Sequence, residues 1–501
     1  MKEHDGAATV SNEQQAIPII PLPREIKVGQ GMLDLGGARL PAVNITFPAG
    51  LERAGALLHG MLEAITDGEI TALNNTYGCE TLPGISLVVD ATLPGDTYRI
   101  SIVDSIVLAG GSERALMQAI ASLLQLLERP GPAGTPWRVP RCNIIDAPVF
   151  PYIGLLVDLA RKWHPVHVIE RCIRLCWWYK VRYLHLHFTD GQSYTLPSTA
   201  YPKLPTRSRH YTVAEIAALN TFARDHGVTI IPEIDLPGHS RAIVHVYPKL
   251  FGLKPFRLGR PVHDNVVNIG KDEAFDALAR IIKETCGMFP DSPYFHLGAD
   301  EVQYKALEPD PDVKKRVEKQ QLGSVQELYR EFIERMDDVV KSCGKQMCVW
   351  EGFGPSGKVP IPKDIPVFVF ESLYNTADQL VADGYHVVNT SWQPIYVVPR
   401  KNWSPETIHA WHPRRWENWF ERSKAFKNPI VIEPTPLLLG AQMCSWEQSA
   451  EQEIPALRAR LAAFVDATWL GEKKRDYQAF AAALAVQDAK LDRVMQSTVR
   501  A

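Results

Sequence analysis

The chain has 501 residues, of which 46% are apolar and 22% charged, and its formal net charge is −3. That length exceeds one average domain and the composition supplies a large core, so two or more globular units are expected. A near-neutral balance with scattered basic residues excludes a charge-driven partnership with nucleic acid or anionic membrane, and eight cysteines in so long a chain exclude a disulfide framework.

The opening "MKEHDGAATVSNEQQ" is polar and has no apolar core of a signal peptide, and no apolar run reaches the roughly 18 residues of a membrane span. A cytoplasmic protein is therefore expected. Residues 18 to about 130 alternate short apolar runs with turn residues. "ISLVVDATL" and "TYRISIVDSIVLAGG" predict strands, followed by one helix in "ERALMQAIASLLQLLERP", whose stripe is Leu116, Ile120, Leu123, Leu124 and Leu127. The Pro- and Gly-dense "RPGPAGTPWRVP" then predicts a linker or boundary. The division expected is a smaller α/β domain over 1–145 and a second domain over 146–501.

From about residue 149 the rhythm changes. Eight strand-like runs follow: "YIGLLVDL", "VRYLHLHFT", "VTIIPEIDL", "YFHLGAD", "MCVWEGF", "VFVFES", "YHVVNTSW" and "GAQMCSWEQ". Between them "VIERCIRLCWWYK", "VAEIAALNTFARDHG" and "SVQELYREFIERMDDVVKSCG" carry helical periodicity, two with a Gly stop. Eight strand–helix units over roughly 300 residues predict a (β/α)8 TIM barrel. A doubly wound sheet would present a Gly-rich loop after its first strand, and "DLARKWHP" has none. Cys172 and Cys176, four apart on a helix face, are expected to be buried thiols, not metal ligands. The helical segment after 450, including "AFAAALAVQDAKL", is expected to pack on the barrel without a chemical role.

A barrel keeps its chemistry just past the C-terminal ends of its strands. Those positions hold Asp158 and Arg161; His185, His187 and Asp190; Glu233, Asp235 and His239; Asp300 and Glu301; Trp350 and Glu351; Phe370 and Glu371; Trp392 and Tyr396; and Trp446, Glu447 and Gln448. Adjacent strand residues face opposite sides, so Asp300 and Glu301 can serve one site only if the strand is already bending into a loop at Asp300. Two chemistries compete. His185 and His187, two apart on a strand, could hold a catalytic metal, although the ends of strands five to eight offer no further histidine. Tryptophans beside acids instead suit a sugar, whose rings stack on indoles and whose hydroxyls seek carboxylates. A non-catalytic sugar-binding barrel is a third possibility.

Four segments in order, "GLLVDLARKWHP", "LHLHFTDGQSY", "IPEIDLPGHS" and "HLGADEV", resemble the signature segments of the glycoside hydrolase family 20 β-N-acetylhexosaminidases. The resemblance runs over about residues 150 to 450, and the N-terminal 140 residues look like that family's smaller domain. It implies exo-acting, retaining removal of terminal β-linked GlcNAc or GalNAc from an oligosaccharide or glycoconjugate, with no cofactor. In that scheme the sugar's own 2-acetamido oxygen attacks C1 and gives an oxazoline. The resemblance makes Glu301 the general acid and then base, and Asp300 the group that holds the acetamide N–H. Arg161 and Asp190 would bind hydroxyls, while His239, with Asp235 and His187, would support the acid. Trp350, Trp446 and Trp392 would wall the acetamide methyl, and Tyr396 would donate to its oxygen. Three positions depart from the family pattern. "VFVFES" lacks a Trp, Tyr396-Val397-Val398 lacks an Asp, and Trp446-Glu447-Gln448 carries Gln448 where an acid is expected. Loss of charge at Val398 and Gln448 implies weak discrimination at the sugar C4, with Gln448 or Glu447 left to contact the hydroxyls.

Overall fold

The computed structural model describes residues 11–35, 42–74, 84–132, 135–471 and 473–497. Its N-terminal part is a mixed seven-stranded sheet in the order Glu25–Leu35, Trp137–Asp146, Tyr98–Ile102, Ile106–Gly110, Gly84–Val89, Ala42–Thr46, Thr71–Asn74. The helix Glu113–Leu126 starts where the Ser112 hydroxyl accepts from Ala115 N, 3.2 Å. The predicted stripe is buried, and so is the opposite face, because the Trp177 indole of a barrel helix donates to Met117 O at 3.0 Å across it. A second helix, Glu52–Thr66, was not anticipated, though Leu57, Leu58, Met61, Leu62 and Ile65 carry its period. The Pro/Gly segment is a correction to the expected linker. Trp137 already begins a strand that pairs with Glu25–Leu35, so the end of the segment belongs to the N-terminal sheet and not to a boundary. Pro and Gly mark any chain reversal, whether or not a domain ends there.

The second part is a closed parallel barrel preceded by that smaller α/β domain, as expected. Its strands are Tyr152–Asp158, Tyr183–His187, Thr229–Glu233, Tyr294–His296, Gln346–Trp350, Val367–Val369, Val387–Asn389 and Leu438–Ser445. All eight coincide with predicted runs, and the eighth pairs in parallel with both the seventh and the first. Register places Asp158 beside His187, His187 beside Glu233, and Glu233 beside His296, so four polar residues share one level of the barrel. Aromatic residues fill the interior below them, with Tyr152 and Tyr183 stacked 4.8 Å apart and Phe368 edge-on. Cys172 and Cys176 are buried free thiols on the helix Val166–Trp178. No described helix is long and apolar enough to cross a membrane.

The C-terminal helices Glu453–Trp469 and Tyr477–Gln496 do more than pack on the barrel, since the last one also touches Glu52–Thr66. One buried carboxylate, Asp146, joins the two domains. It accepts from Tyr98 Oη (2.5 Å), Trp469 Nε1 (2.8 Å) and Arg24 N (2.9 Å), and Lys180 Nζ lies 3.6 Å away. Asp146→Ala leaves the Trp469 indole and the Lys180 ammonium buried without an acceptor and should cost about 3–5 kcal/mol. Urea denaturation followed by tryptophan fluorescence checks this. A loss below about 1 kcal/mol would mean the domains do not depend on it.

Candidate functional site

The catalytic candidates collect where the fourth strand ends. That strand stops at His296, and the bend begins at Gly298, two residues before the expected position. Gly298 (φ 74°), Ala299 (φ 75°) and Glu301 (φ 48°) are all left-handed. Glycine is required at 298 because a Cβ there would meet Asp235 Oδ1 at 2.0 Å. The turn is held by Ala299 N donating to Asp235 Oδ1 (3.2 Å) and Trp350 N donating to Gly298 O (2.8 Å). A left-handed residue breaks strand alternation, which is how two neighbouring carboxylates come to line one pocket.

Their surroundings differ. Asp300 is almost enclosed, and its Oδ1 is buried with no hydrogen-bond partner among the described residues. Burial, with the negative Glu301 adding to it against the opposing pull of His239, pushes its carboxyl up to about 6. Glu301 is 47% exposed, and its Oε2 lies 3.0 Å from His239 Nε2. That hydrogen bond holds Glu301 below the usual carboxylate range. Against its burial, His239 is held well above the ordinary imidazole range by Asp235 and by its hydrogen bonds to Asp190 and Glu301.

Arg161 is presented by a tight turn in which Asp158 Oδ1 accepts from Ala160 N (3.0 Å) and Arg161 N (2.9 Å). Its Nε donates to Asp190 Oδ2 at 2.7 Å, and its guanidinium lies over the Trp446 ring at 4.8 Å. His187 Nε2 (3.3 Å) and His239 Nδ1 (3.4 Å) converge on the same oxygen of Asp190. His187 itself sits behind Trp446, ring centroids 4.9 Å apart.

The pocket holds about 220 Å³. Trp350, Phe370, Trp392, Tyr396 and Trp446 form its aromatic wall, and Val398 occupies the position where the family pattern has an acid. Burial keeps the Tyr396 phenol protonated, so it remains a donor. Gln448 is a correction. It does not line the pocket; its amide donates to Val397 O at 3.3 Å. Glu447 faces the pocket instead, because its left-handed backbone (φ 58°) redirects the side chain, and its Oε1 lies 3.6 Å from Arg161 Nη1. Glu351, on the fifth strand's end, is turned away and accepts from Ser372 N (2.7 Å), Leu373 N (2.6 Å) and Tyr374 N (2.8 Å).

Trp419 was missed. It lines the pocket and packs on Trp392 at 5.2 Å. It ends "WHPRRWENW", whose repeated indoles were the available signal. His296 and the central role of Glu233 were missed as well.

Among the described residues, three groups bring ligand atoms within 4.8 Å of one another: His185–Glu233–His296, His187–Glu233–Asp235 and Asp235–His239–Asp300. The members of the first two are all buried, and of those residues Asp235 lines the pocket. A larger cavity, about 760 Å³, opens at the N-terminal end of the barrel beside Phe150 and Leu438. Its described lining includes Arg24, Arg414 and Lys473 but no carboxylate or imidazole, so it offers no acid–base pair.

Residues 150–472 match the family model described as Glycosyl hydrolase family 20, catalytic domain, and residues 16–147 match Glycosyl hydrolase family 20, domain 2. The chain is 29% identical over 394 residues to a beta-hexosaminidase of Vibrio furnissii, covering 72% of this chain and 63% of that protein. It is 26% identical over 520 residues to a beta-hexosaminidase of Porphyromonas gingivalis, covering 95% and 64%. The chain thus spans just under two thirds of the length of these relatives. Among solved structures, an exo β-N-acetylglucosaminidase of Vibrio harveyi in complex with N-acetylglucosamine superposes with a TM-score of 0.80 at 25% identity, over 97% of this chain and 78% of that one.

Proposed function

The chain belongs to glycosyl hydrolase family 20, and from that premise we propose that it is an exo-acting, retaining β-N-acetylhexosaminidase that uses the substrate's acetamide as nucleophile. The observation that carries this reading is the pairing of an enclosed carboxyl, Asp300, whose Oδ1 lacks a partner among the described residues, with the half-exposed Glu301 beside it. An acetamide N–H supplies the donor that Asp300 lacks. The acetamide oxygen then attacks C1 as the bond from C1 to the leaving oxygen breaks, and Glu301 gives that oxygen its proton. Charge developing on the acetamide nitrogen is stabilised by the almost enclosed Asp300. In the second step Glu301 takes a proton from water as it adds to C1, the bond from C1 to the acetamide oxygen breaks to restore the acetamide, and two inversions return the β configuration. No second catalytic carboxylate is needed.

Before substrate binds, the proton rests on His239, 3.0 Å from Glu301. A sugar covering Glu301 strips its water and disfavours its charge, which drives that proton across to it. Trp350, Trp446, Trp392 and Phe370 enclose the methyl group, and Tyr396 donates to the acetamide oxygen. Arg161 with Glu447 forms a donor–acceptor pair for ring hydroxyls, and Trp419 extends the stacking surface outward.

The deciding experiment compares an aryl β-N-acetylglucosaminide with the plain aryl β-glucoside, with chelator present. Hydrolysis of the acetamido sugar alone is expected, because a 2-hydroxyl cannot form the oxazoline. Equal rates would mean a protein nucleophile, and activity that requires added metal would move the chemistry to His185 and His187. Binding without turnover would make the chain a sugar-binding barrel.

The same geometry sets the pH dependence. Asp300 must be ionised to stabilise positive charge, and its carboxyl is pushed up to about 6. Since protonation occurs below that value, kcat/KM should fall about tenfold per pH unit on the acid side of 6 and level off above it. A limb beginning only below about pH 5 would exclude Asp300 as the controlling group. At C4, Val398 offers no charge, and Glu447, whose Oε1 lies 3.6 Å from Arg161 Nη1, is on an exposed side chain. Aryl GlcNAc and GalNAc substrates should therefore differ by less than about a hundredfold in kcat/KM, or about 2.7 kcal/mol.

A further inference from the structure

Glu233 ends the third barrel strand, is completely buried and does not line the pocket. Its Oε1 accepts from Trp350 Nε1 at 2.6 Å, and its Oε2 lies 2.7 Å from His187 Nδ1. His185 Nε2 is 3.1 Å from Oε2 but outside hydrogen-bond geometry. His296 Nδ1 is 3.4 Å from Oε1, yet that nitrogen accepts from Gly298 N at 3.1 Å, so it has no proton to offer Glu233. A carboxylate sealed from water needs a compensating cation. The imidazolium of His187 is placed to be that cation, and its other nitrogen reaches Asp190 Oδ2, where Arg161 and His239 also meet.

One chain of contacts therefore runs Trp350–Glu233–His187–Asp190–His239–Glu301, with a branch to Arg161. Both ends face the pocket and the middle does not. Resting on the reaction proposed above, we propose that Glu233 is a positioning residue. One oxygen fixes the indole that walls the acetamide, and the other holds the imidazolium that orients Asp190. The acetamide wall and the proton relay are thus braced on a single side chain.

Charged and titratable groups face this pair from several strands. Beside Glu233 lie the three imidazoles, with Asp235, Asp300 and the Cys444 thiol further off, and His187 also faces Asp158 and Asp190. Against burial, Glu233 and Asp190 hold His187 well above the ordinary imidazole range. Glu233→Gln keeps volume while removing the anion, and it weakens the Trp350 contact because a neutral amide oxygen replaces a charged acceptor.

The test is a double-mutant cycle with a spectroscopic arm, on the full chain. Glu233→Gln should lower kcat/KM on the aryl N-acetylglucosaminide at least about tenfold. Trp350→Phe should loosen the preference for a 2-acetamido over a 2-propionamido sugar at least about fivefold. Because both break one brace, the double variant should lose less than the product of the single losses. In spectra of 15N-histidine protein, with the His187 signals identified by their loss in His187→Gln, the imidazole should titrate at least about one pH unit lower in Glu233→Gln. An unmoved His187 titration, or losses that multiply, would overturn the proposal. If the wild type cleaves neither sugar, the reaction assignment fails, and the spectra still judge the brace by themselves.

Discussion

Glu301→Gln should lower kcat/KM on an alkyl or oligosaccharide β-N-acetylhexosaminide by about 10³–10⁴-fold, yet by no more than about tenfold on an aryl glycoside with a strongly acidic phenol. The difference arises because an alkoxide must be protonated as it leaves, whereas a stabilised phenolate departs unaided. kcat on the activated substrate should still fall, since water attacking the oxazoline needs the base that Gln cannot supply. Azide requires no base and should restore that kcat, with β-glycosyl azide as product. The split follows from placement. Glu301 is the carboxyl that remains 47% exposed and that lies within hydrogen-bond reach of His239. Equal losses on both leaving groups would remove it from the acid role.

Asp300→Asn should behave differently, lowering kcat/KM by about 10²–10³-fold whatever the leaving group. In the proposed reaction Asp300 acts on the nucleophile, so leaving-group acidity cannot compensate for its loss. An amide at this position either turns its own N–H toward the acetamide N–H or accepts without charge, and both weaken oxazoline formation. The acid limb near pH 6 should disappear with the carboxyl that produces it. Measuring kcat/KM for a series of aryl leaving groups against pH tests both statements. If Asp300→Asn kept about a third of wild-type activity, the unpartnered Oδ1 would serve something other than the acetamide.

Much of the architecture was legible because barrel strands and their crossover helices announce themselves locally. A parallel strand buried on both faces is a continuous apolar run, and "YIGLLVDL" and "VTIIPEIDL" became strands Tyr152–Asp158 and Thr229–Glu233. The helix Val213–Asp225 carries its own start, with Thr212 and Glu215 in a capping box. The errors fell where local pattern is ambiguous. Pro and Gly before Trp137 read as a boundary, and the helix Glu52–Thr66 passed unnoticed between stronger signals.

For the site, sequence by itself determined which residue types stand at the strand ends. Regular strands have fixed length and direction, so Arg161, Asp190, His239, Asp300, Glu301 and the tryptophans had to arrive near one rim. Only the tertiary structure decided which of them face the pocket. Past a strand end the backbone has no period, and a side chain points where its φ and its long-range partners send it. A left-handed φ turns Glu447 inward, Val397 O captures the Gln448 amide, and backbone N–H groups of 372–375 claim Glu351. Trp419 enters from a loop far along the chain, and Glu233 gains its meaning from His187 and Trp350, each on another strand. Those contacts depend on barrel closure, which brings distant segments within hydrogen-bond reach and which no local window of sequence contains.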